Sequence, residues 1–377
     1  MNILLVNMSV DPVLGGGTVE RICQLARELK KLPDTQTKVL STTAGLSPEE
    51  DVDSSLYTLL PCLSERWYIP VPNLWVIYKS IRWADVILLS SHWTLINALA
   101  YIVNKLVGRP YLFCPAGALH IYGRSGLIKR AYNAVVGTAI LKCAARVVAI
   151  PKDEAELFYK LGVAKERVVV IANGISPDDF TDADVNSFRA KHQLGDAPFL
   201  LFMGRLNKIK GPDILLQSFL SVASEYPDWH LVFAGPNGGM AEDLSLVISE
   251  YGFEGRVHMI GFVSGEEKSQ AYHAAEMLVV PSRLEAMSIV ALEAAICGTP
   301  VLMTDQCGFS ELVDASGGLE VPVDAKLISE AMRELMSDLP HLKCMGEKAR
   351  LFIKDNYTWE VAAMKHRSLC DEIINVN

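Results

Sequence analysis

The sequence predicts an α/β chain built from two doubly wound, parallel-sheet domains. Three observations predict it. The chain has 377 residues, against roughly 150 for one domain. Short aliphatic runs alternate with amphipathic helical patterns, the order expected of parallel strands covered on both faces. The alternation breaks once, over residues 172–198, where Asn173-Gly174, Ser176-Pro177, several aspartates and Ala197-Pro198 collect. Such residues favour turns over regular structure.

In the first series the strands are expected at residues 3–7, 38–42, 86–90, 110–114, 146–150 and 168–171. Each is rich in Val, Ile or Leu, and continuous apolar runs suit strands buried on both faces. The helix expected at 19–31 places Ile22, Leu25, Ala26 and Leu29 on one side, the spacing of a core-facing stripe. A second series follows at 199–203, 230–234, 257–260, 277–280 and 300–304. The expected division is therefore an N-terminal domain over 1–175, a linker over 176–198 and a second domain over 199–358, with a cleft between the domains. In doubly wound sheets ligands sit beyond the C-terminal strand ends, so the loops there are expected to carry the chemistry.

Composition narrows the function. Half the residues are hydrophobic and 21% are charged, which excludes global disorder. The 35 basic and 44 acidic residues give a net charge of −9 and argue against a general nucleic-acid binder. The average conceals an asymmetry. Residues 1–190 hold 20 basic and 18 acidic side chains, and the remainder 15 and 26. Residues 66–152 hold 11 basic side chains and one acid, Asp85. The eight cysteines are scattered without metal-ligand spacing, which reads as free thiols in a reducing compartment. The apolar stretch 86–106 is interrupted by Ser90, Ser91, His92, Asn97 and Asn104, too polar for a membrane span. With no secretory signal in evidence, a soluble, cytoplasmic protein is expected.

Three loops stand out. Gly15-Gly16-Gly17 lies between the first strand and first helix, where glycines let backbone N–H groups approach an anion. It reads equally as a ligand loop or a tight turn. Glu20 occupies the slot of the third fingerprint glycine, which disfavours a dinucleotide oxidoreductase. Gly204-Arg205-Leu206-Asn207-Lys208-Ile209-Lys210-Gly211 follows the first strand of the second series and precedes a helix opened by Pro212. There Arg205 and Lys210 are two cations able to clamp a diphosphate. The third segment runs from Glu285 through Ser288 to Glu293 and on to Gly298-Thr299-Pro300. Ser288 is the expected helix N-cap and Gly298 the C-terminal cap. A carboxylate beside a diphosphate needs hydrogen-bond donors, and sugar hydroxyls are the obvious ones.

Together these motifs resemble the retaining family-4 glycosyltransferases of the GT-B fold. The likeness runs through GRLNKIKGPDILL, LVFAGP, RVHMIGFVSGEEK, MLVVPSRLEAMSIVALEAAICGTPVL and YTWE, and more weakly through the glycine loop and residues 170–175. It implies that the first domain binds the acceptor and the second a nucleotide sugar, UDP- or GDP-linked, with the helix 359–377 packing back on the first domain. Arg205 and Lys210 are assigned to the diphosphate and Glu293 to the ribose hydroxyls. Glu285, with Ala286, Met287, Ser288 and Ile289, would hold the transferred sugar. The region around Val263 would hold the nucleobase, and Gly16 and Gly17 would close over the donor. The acceptor would be a saccharide or a lipid-linked group, in surface polysaccharide, lipopolysaccharide or glycolipid assembly.

One departure concerns a loop in which many relatives carry a histidine that contacts the sugar. Here the loop reads Cys114-Pro115-Ala116-Gly117-Ala118, with His120 slightly later. Ala116, Gly117 and His120 are the acceptor-side candidates. His92, at another strand end, resembles a family position and reads equally as a satisfied histidine. No metal site is implied, since the pairs Asp51/Asp53 and Asp182/Asp184 lie in polar stretches away from strand ends. The basic region 66–152, with Trp67, Tyr68, Trp75, Tyr78 and Trp83 and with Arg124, Lys129, Arg130 and Lys142, suits an anionic membrane surface or anionic acceptor. A sugar-nucleotide-binding protein without activity and a GT-B-fold epimerase are the alternatives. A glycosidase using Glu285 and Glu293 fits least, because its acid/base pair must flank an open bond.

Overall fold

The computed structural model describes residues 1–47, 52–119, 126–181, 184–285 and 287–375. The chain divides into two compact units, Met1–Gly174 with Trp359–Asn377, and Ile175–Thr358.

In the first unit the strands are β1 (Asn2–Val6), β2 (Gln36–Thr42), β3 (Tyr57–Leu60), β4 (Cys62–Ser64), β5 (Ile69–Pro70), β6 (Val86–Ser90), β7 (Tyr111–Cys114), β8 (Arg146–Ala149) and β9 (Val168–Val170). Seven form a parallel sheet in the order β3-β2-β1-β6-β7-β8-β9, while β4 and β5 make a separate hairpin. Leu4, Leu5 and Val6 are wholly buried and Ile3 nearly so, because helices cover both faces of a central parallel strand. The helix Pro12–Lys31 turns its Ile22, Leu25 and Ala26 into this core. The C-terminal helix Trp359–Asn375 packs against it. Arg367 on that helix donates to Pro33 O at 3.1 Å.

In the second unit, β10 (Phe199–Met203), β11 (His230–Ala234), β12 (Val257–Gly261), β13 (Met277–Val280), β14 (Val301–Thr304) and β15 (Gly318–Val321) form a parallel sheet ordered β12-β11-β10-β13-β14-β15. β10 is central, pairing Phe199 with His230 on one side and Leu200 with Met277 on the other.

The segment 176–198 is more than the linker the sequence suggests. It belongs to the second unit and carries the helix Val185–Lys191, capped by Asp184. Phe188 of that helix is fully buried, 6.4 Å from the ring of Phe199. Burying such a ring contributes about 1.5–3 kcal/mol, enough to hold a short, polar helix in place.

Strand order locates the functional ends. In each sheet the order reverses once, between β1 and β6 and between β10 and β13. Loops leaving adjacent strands at such a point diverge and leave a crevice for ligands.

Candidate functional site

The loops leaving β10 and β13 carry Arg205, Lys210 and Glu285. Glycines let them approach. Gly211 has φ +72°, and a Cβ there would lie 2.1 Å from Pro281 O, so no other residue fits against the end of β13. Gly235 is similarly constrained, since its Cβ would meet Gly204 O at 1.9 Å. Arg283 then laces the two loops together. Its guanidinium donates to both oxygens of Asp213 at 2.9 and 2.8 Å and to Lys208 O at 2.6 Å. Burial alone would raise the Asp213 carboxyl, but the bonds from Arg283 and Lys208 outweigh it and hold the pKa at about 2.

Glu285 sits with its backbone N–H on Gln306 O at 2.8 Å and its side chain 7% exposed. The ammonium of Lys210 lies 2.9 Å from Oε1, and the Ser282 hydroxyl donates to the same oxygen. Glu293 lies on the helix Ile289–Ile296 and also has one lysine and one hydroxyl as partners, here on separate oxygens. Lys268 Nζ is 2.5 Å from Oε1, and the Tyr272 hydroxyl donates to Oε2 at 2.7 Å. Burial, and then the Glu293 carboxylate, raise the pKa values of Tyr272 and of the neighbouring Cys297 thiol.

Lys268, Tyr272 and Ser282 are the partners of these two carboxylates that reading the sequence missed. The signal for two of them exists: Lys268 and Tyr272 are four apart on the helix Gly265–Ala274, hence on one face.

Other expected donor residues divide. Arg205 is exposed and has no ion pair among the described residues. Ser288 stands at the N-cap position, but its hydroxyl makes no cap bond; Oγ is buried without a partner among the described residues. Met287 packs half-buried on the core and Ile289 is 46% exposed. Ala286 lies outside the described residues. Val263 is turned into the core at 4% exposure, and its neighbour Phe262 is the exposed side chain at 70%. A nucleobase role for this region would therefore fall to backbone and Phe262 rather than to the Val263 side chain.

The first unit brings its candidates to the ends of β1, β6 and β7. The glycine loop is not a separate turn before the helix. Residues 15–17 lie inside Pro12–Lys31, which breaks at Gly16 with φ 61° and ψ −156°. Gly15 N–H already bonds Asp11 O at 3.0 Å, so helical turns begin before the glycines and restart after them. Gly16 and Gly17 are exposed with open space where a Cβ would stand.

His92 is 5% exposed. Its Nε2 lies 2.7 Å from Asn133 Oδ1, which also accepts from Trp93 Nε1 at 2.9 Å. An amide oxygen only accepts, so Nε2 carries the proton. Burial drives the His92 pKa down to about 4 despite that bond, which leaves a neutral ring whose buried Nδ1 has no partner among the described residues. Ala116 adopts a left-handed conformation at φ 53°, followed by Gly117 at φ 77°. The Gly117 N–H donates to Glu154 Oε1 at 2.7 Å, and Ile150 N–H to Oε2 at 2.9 Å. The buried Glu154 thus ties the β7 loop to the end of β8. His120 and Arg124 lie outside the described residues.

Of the two acidic pairs, Asp51 and Asp182 lie outside the described residues. Asp184 caps its helix by accepting from Ser187 N–H at 3.1 Å. Asp53 binds Ser55 and the Lys30 ammonium, the latter at 3.0 Å. In the basic region Trp67 and Trp75 are exposed at 47% and 62%. Tyr68 is half-buried and donates to Leu14 O, while Tyr78 and Trp83 pack on the core. Among the described residues no helix is long and apolar enough to cross a membrane.

Comparison with known proteins bears on the family and the fold. Residues 184–352 match the family model of glycosyl transferases group 1, and residues 16–174 that of the glycosyl transferase 4-like domain. D-inositol 3-phosphate glycosyltransferase 1 of Catenulispora acidiphila is 34% identical over 220 residues, 55% of this chain and 53% of that protein. The D-inositol 3-phosphate glycosyltransferase of Mycobacteroides abscessus is 33% identical over 320 residues, 83% of this chain and 66% of that one. The matches span between 51% and 59% of the length of three curated relatives. The crystal structure of Anabaena Alr3699/HepE in complex with UDP superposes with a TM-score of 0.76 at 18% identity, covering 99% of this chain and 100% of that one. With both halves matched and the same two-unit parallel architecture, the chain belongs to the group 1 glycosyl transferases of family 4, on the GT-B fold.

Proposed function

We propose that the protein is a retaining, metal-independent glycosyltransferase that moves a sugar from a UDP- or GDP-linked donor to an acceptor hydroxyl. The observation that carries this reading is the Lys210–Glu285 pair joining the loops that leave β10 and β13, with Arg205 on the first of them, where a doubly wound sheet receives ligands. The cations meet the diphosphate, so charge developing on the leaving group is stabilised by groups already in place. Glu285 and the backbone after it take the sugar hydroxyls, and Glu293 takes those of the ribose.

In the retaining reaction the acceptor oxygen attacks the anomeric carbon on the face from which the diphosphate departs. The bond from that carbon to the diphosphate oxygen breaks as the new glycosidic bond forms, and the acceptor proton passes to the departing oxygen. Lys210 and Arg205 supply the positive charge that a metal ion supplies elsewhere, and the chemistry needs no separate protein base. Loops of the first unit bind the acceptor.

A place in surface polysaccharide or glycolipid assembly is supported by the exposed apolar and basic side chains of the first unit. Trp67, Trp75, Leu127 and Ile128 are all exposed, near Arg66, Lys79, Lys129 and Arg130 in sequence. Such a surface suits an anionic bilayer facing the cytoplasm. A structural neighbour, WaaG, is a glycosyltransferase involved in lipopolysaccharide biosynthesis.

The test is a screen of UDP- and GDP-sugars by thermal shift, followed by assay of nucleotide release and proton NMR of the product. A retained anomeric configuration without added metal is expected. A screen in which no nucleotide sugar binds or turns over would overturn the reading.

A further inference from the structure

The two carboxylates of the site are held differently. On Glu285 both donors meet one oxygen, Oε1. On Glu293 each oxygen has one donor, Lys268 on Oε1 and the Tyr272 hydroxyl on Oε2. The last torsion of a glutamate side chain is broad and does not fix itself. Two donors on opposite oxygens fix it. Tyr272 is wholly buried and anchored through its ring, which lies 6.2 Å from that of Phe180. Lys268 Nζ lies 6.0 Å above the same Phe180 ring. The orientation of Glu293 is therefore set by the helix Gly265–Ala274 and by the segment Pro177–Phe180, outside its own helix.

From this arrangement we infer that Tyr272 and Lys268 are positioning residues that make the site selective for ribonucleotides. The inference rests on the proposed donor site. A carboxylate offers about four lone-pair sites. Tyr272 and Lys268 use one on each oxygen, which leaves one acceptor site on each. Two adjacent hydroxyls, as the 2′ and 3′ hydroxyls of a ribose are, can both donate to such a pair. A 2′-deoxyribose supplies one donor only and leaves one oxygen of a side chain that is 10% exposed without its second partner. A rotating carboxylate could turn to suit a single hydroxyl. The fixed one cannot, so selectivity comes from the two residues behind it.

The test is calorimetric binding of UDP, GDP and their 2′-deoxy counterparts to the wild-type chain and to Tyr272→Phe, Lys268→Gln and Glu293→Gln. The wild-type chain should prefer the ribo form by about tenfold or more, the scale of one hydrogen bond to a charged group. Tyr272→Phe and Lys268→Gln should each weaken the ribo form and leave the 2′-deoxy form nearly unchanged, so the ratio falls toward one. A merely structural role would weaken both forms alike. Lys268 is partly exposed, so its variant keeps the test alive if Tyr272→Phe does not fold. If the wild-type chain binds and discriminates but both variants keep its ratio, the inference falls and the donor site stands. If the wild-type chain binds no nucleoside diphosphate, both fall.

Discussion

Lys210 holds its ammonium 2.9 Å from Oε1 of Glu285, and the lysine side chain is 34% exposed whereas the glutamate is 7% exposed. The pair is thus asymmetric: the anion is nearly out of water while the cation retains a face toward it. Breaking such a pair leaves the more buried partner uncompensated, which costs more than the pair itself contributes. Lys210→Ala should therefore lower the stability of the second unit by about 1–3 kcal/mol, read by urea denaturation. Lys210→Ala with Glu285→Ala should cost less than the sum. The same single substitution should reduce kcat/KM for the donor by about a hundredfold, the usual loss when a charge-stabilising group is removed. Intact donor kinetics in Lys210→Ala would sink the assignment.

Arg205 provides the contrast. It is exposed and has no ion pair among the described residues, so nothing in the fold depends on its charge. Arg205→Ala should change stability by less than about 0.5 kcal/mol. Donor affinity should fall by about tenfold, with a weaker dependence on salt than the wild-type chain shows. A variant that melts early would mean Arg205 is structural.

The contrast also marks what was legible in the sequence. Central strands such as Phe199–Met203 and Val86–Ser90 read clearly because burial on both faces makes them continuous apolar runs. Tyr57–Leu60 and Gly318–Val321 did not: each is a partly buried edge of four residues without a β-branched run, whereas the edge Val168–Val170 reads through its three valines. Lys210 and Glu285 were legible as a loop cation and a loop acid, but their pairing requires β10 and β13 to be neighbours. The i, i+4 spacing of Lys268 and Tyr272 puts both on one helix face, but only helix–helix packing brings that face to Glu293. The break at Gly16 was hidden because residues 12–15 already form a helical turn. The helix at 185–191 was hidden because it buries one phenylalanine and is otherwise held by bonds from Arg189 and Lys191 to distant segments, which leave no apolar period.

His366 gives a pH dependence with a defined sign. It lies buried in the C-terminal helix, with Nδ1 donating to Ala362 O at 2.8 Å and Nε2 buried without a partner among the described residues. Burial, with the Arg21 guanidinium adding to it, drives its pKa from 6.5 to about 3. The unfolded chain takes up a proton near pH 6.5 that the folded chain refuses. The stability contributed is complete above pH 6.5 and is lost as pH falls toward 3, by up to about 1.4 kcal/mol per pH unit. His366→Gln should remove one proton's worth of slope in that window. Denaturation midpoints from pH 7 to pH 4 measure it, and an unchanged slope would show that the ring is already charged in the fold.

Trp67 and Trp75 make the surface prediction. Both are exposed, at 47% and 62%, and each has a cation close to its ring, Arg66 at 5.5 Å and Lys79 at 5.1 Å. Neither supports the core, so replacing them should leave the melting temperature nearly unchanged. In water an exposed indole gains little, but at a bilayer its ring enters the headgroup layer while the adjacent cation meets lipid phosphate. Each such cation adds about 1 kcal/mol near an anionic surface, falling off within a Debye length. Liposomes rich in anionic lipid should therefore retain the wild-type chain at low salt and release it as salt rises. Trp67→Ala with Trp75→Ala should weaken retention at low salt by about tenfold or more while leaving donor binding intact. Equal retention of the two proteins, or retention by neutral liposomes alone, would place the membrane contact elsewhere on the molecule.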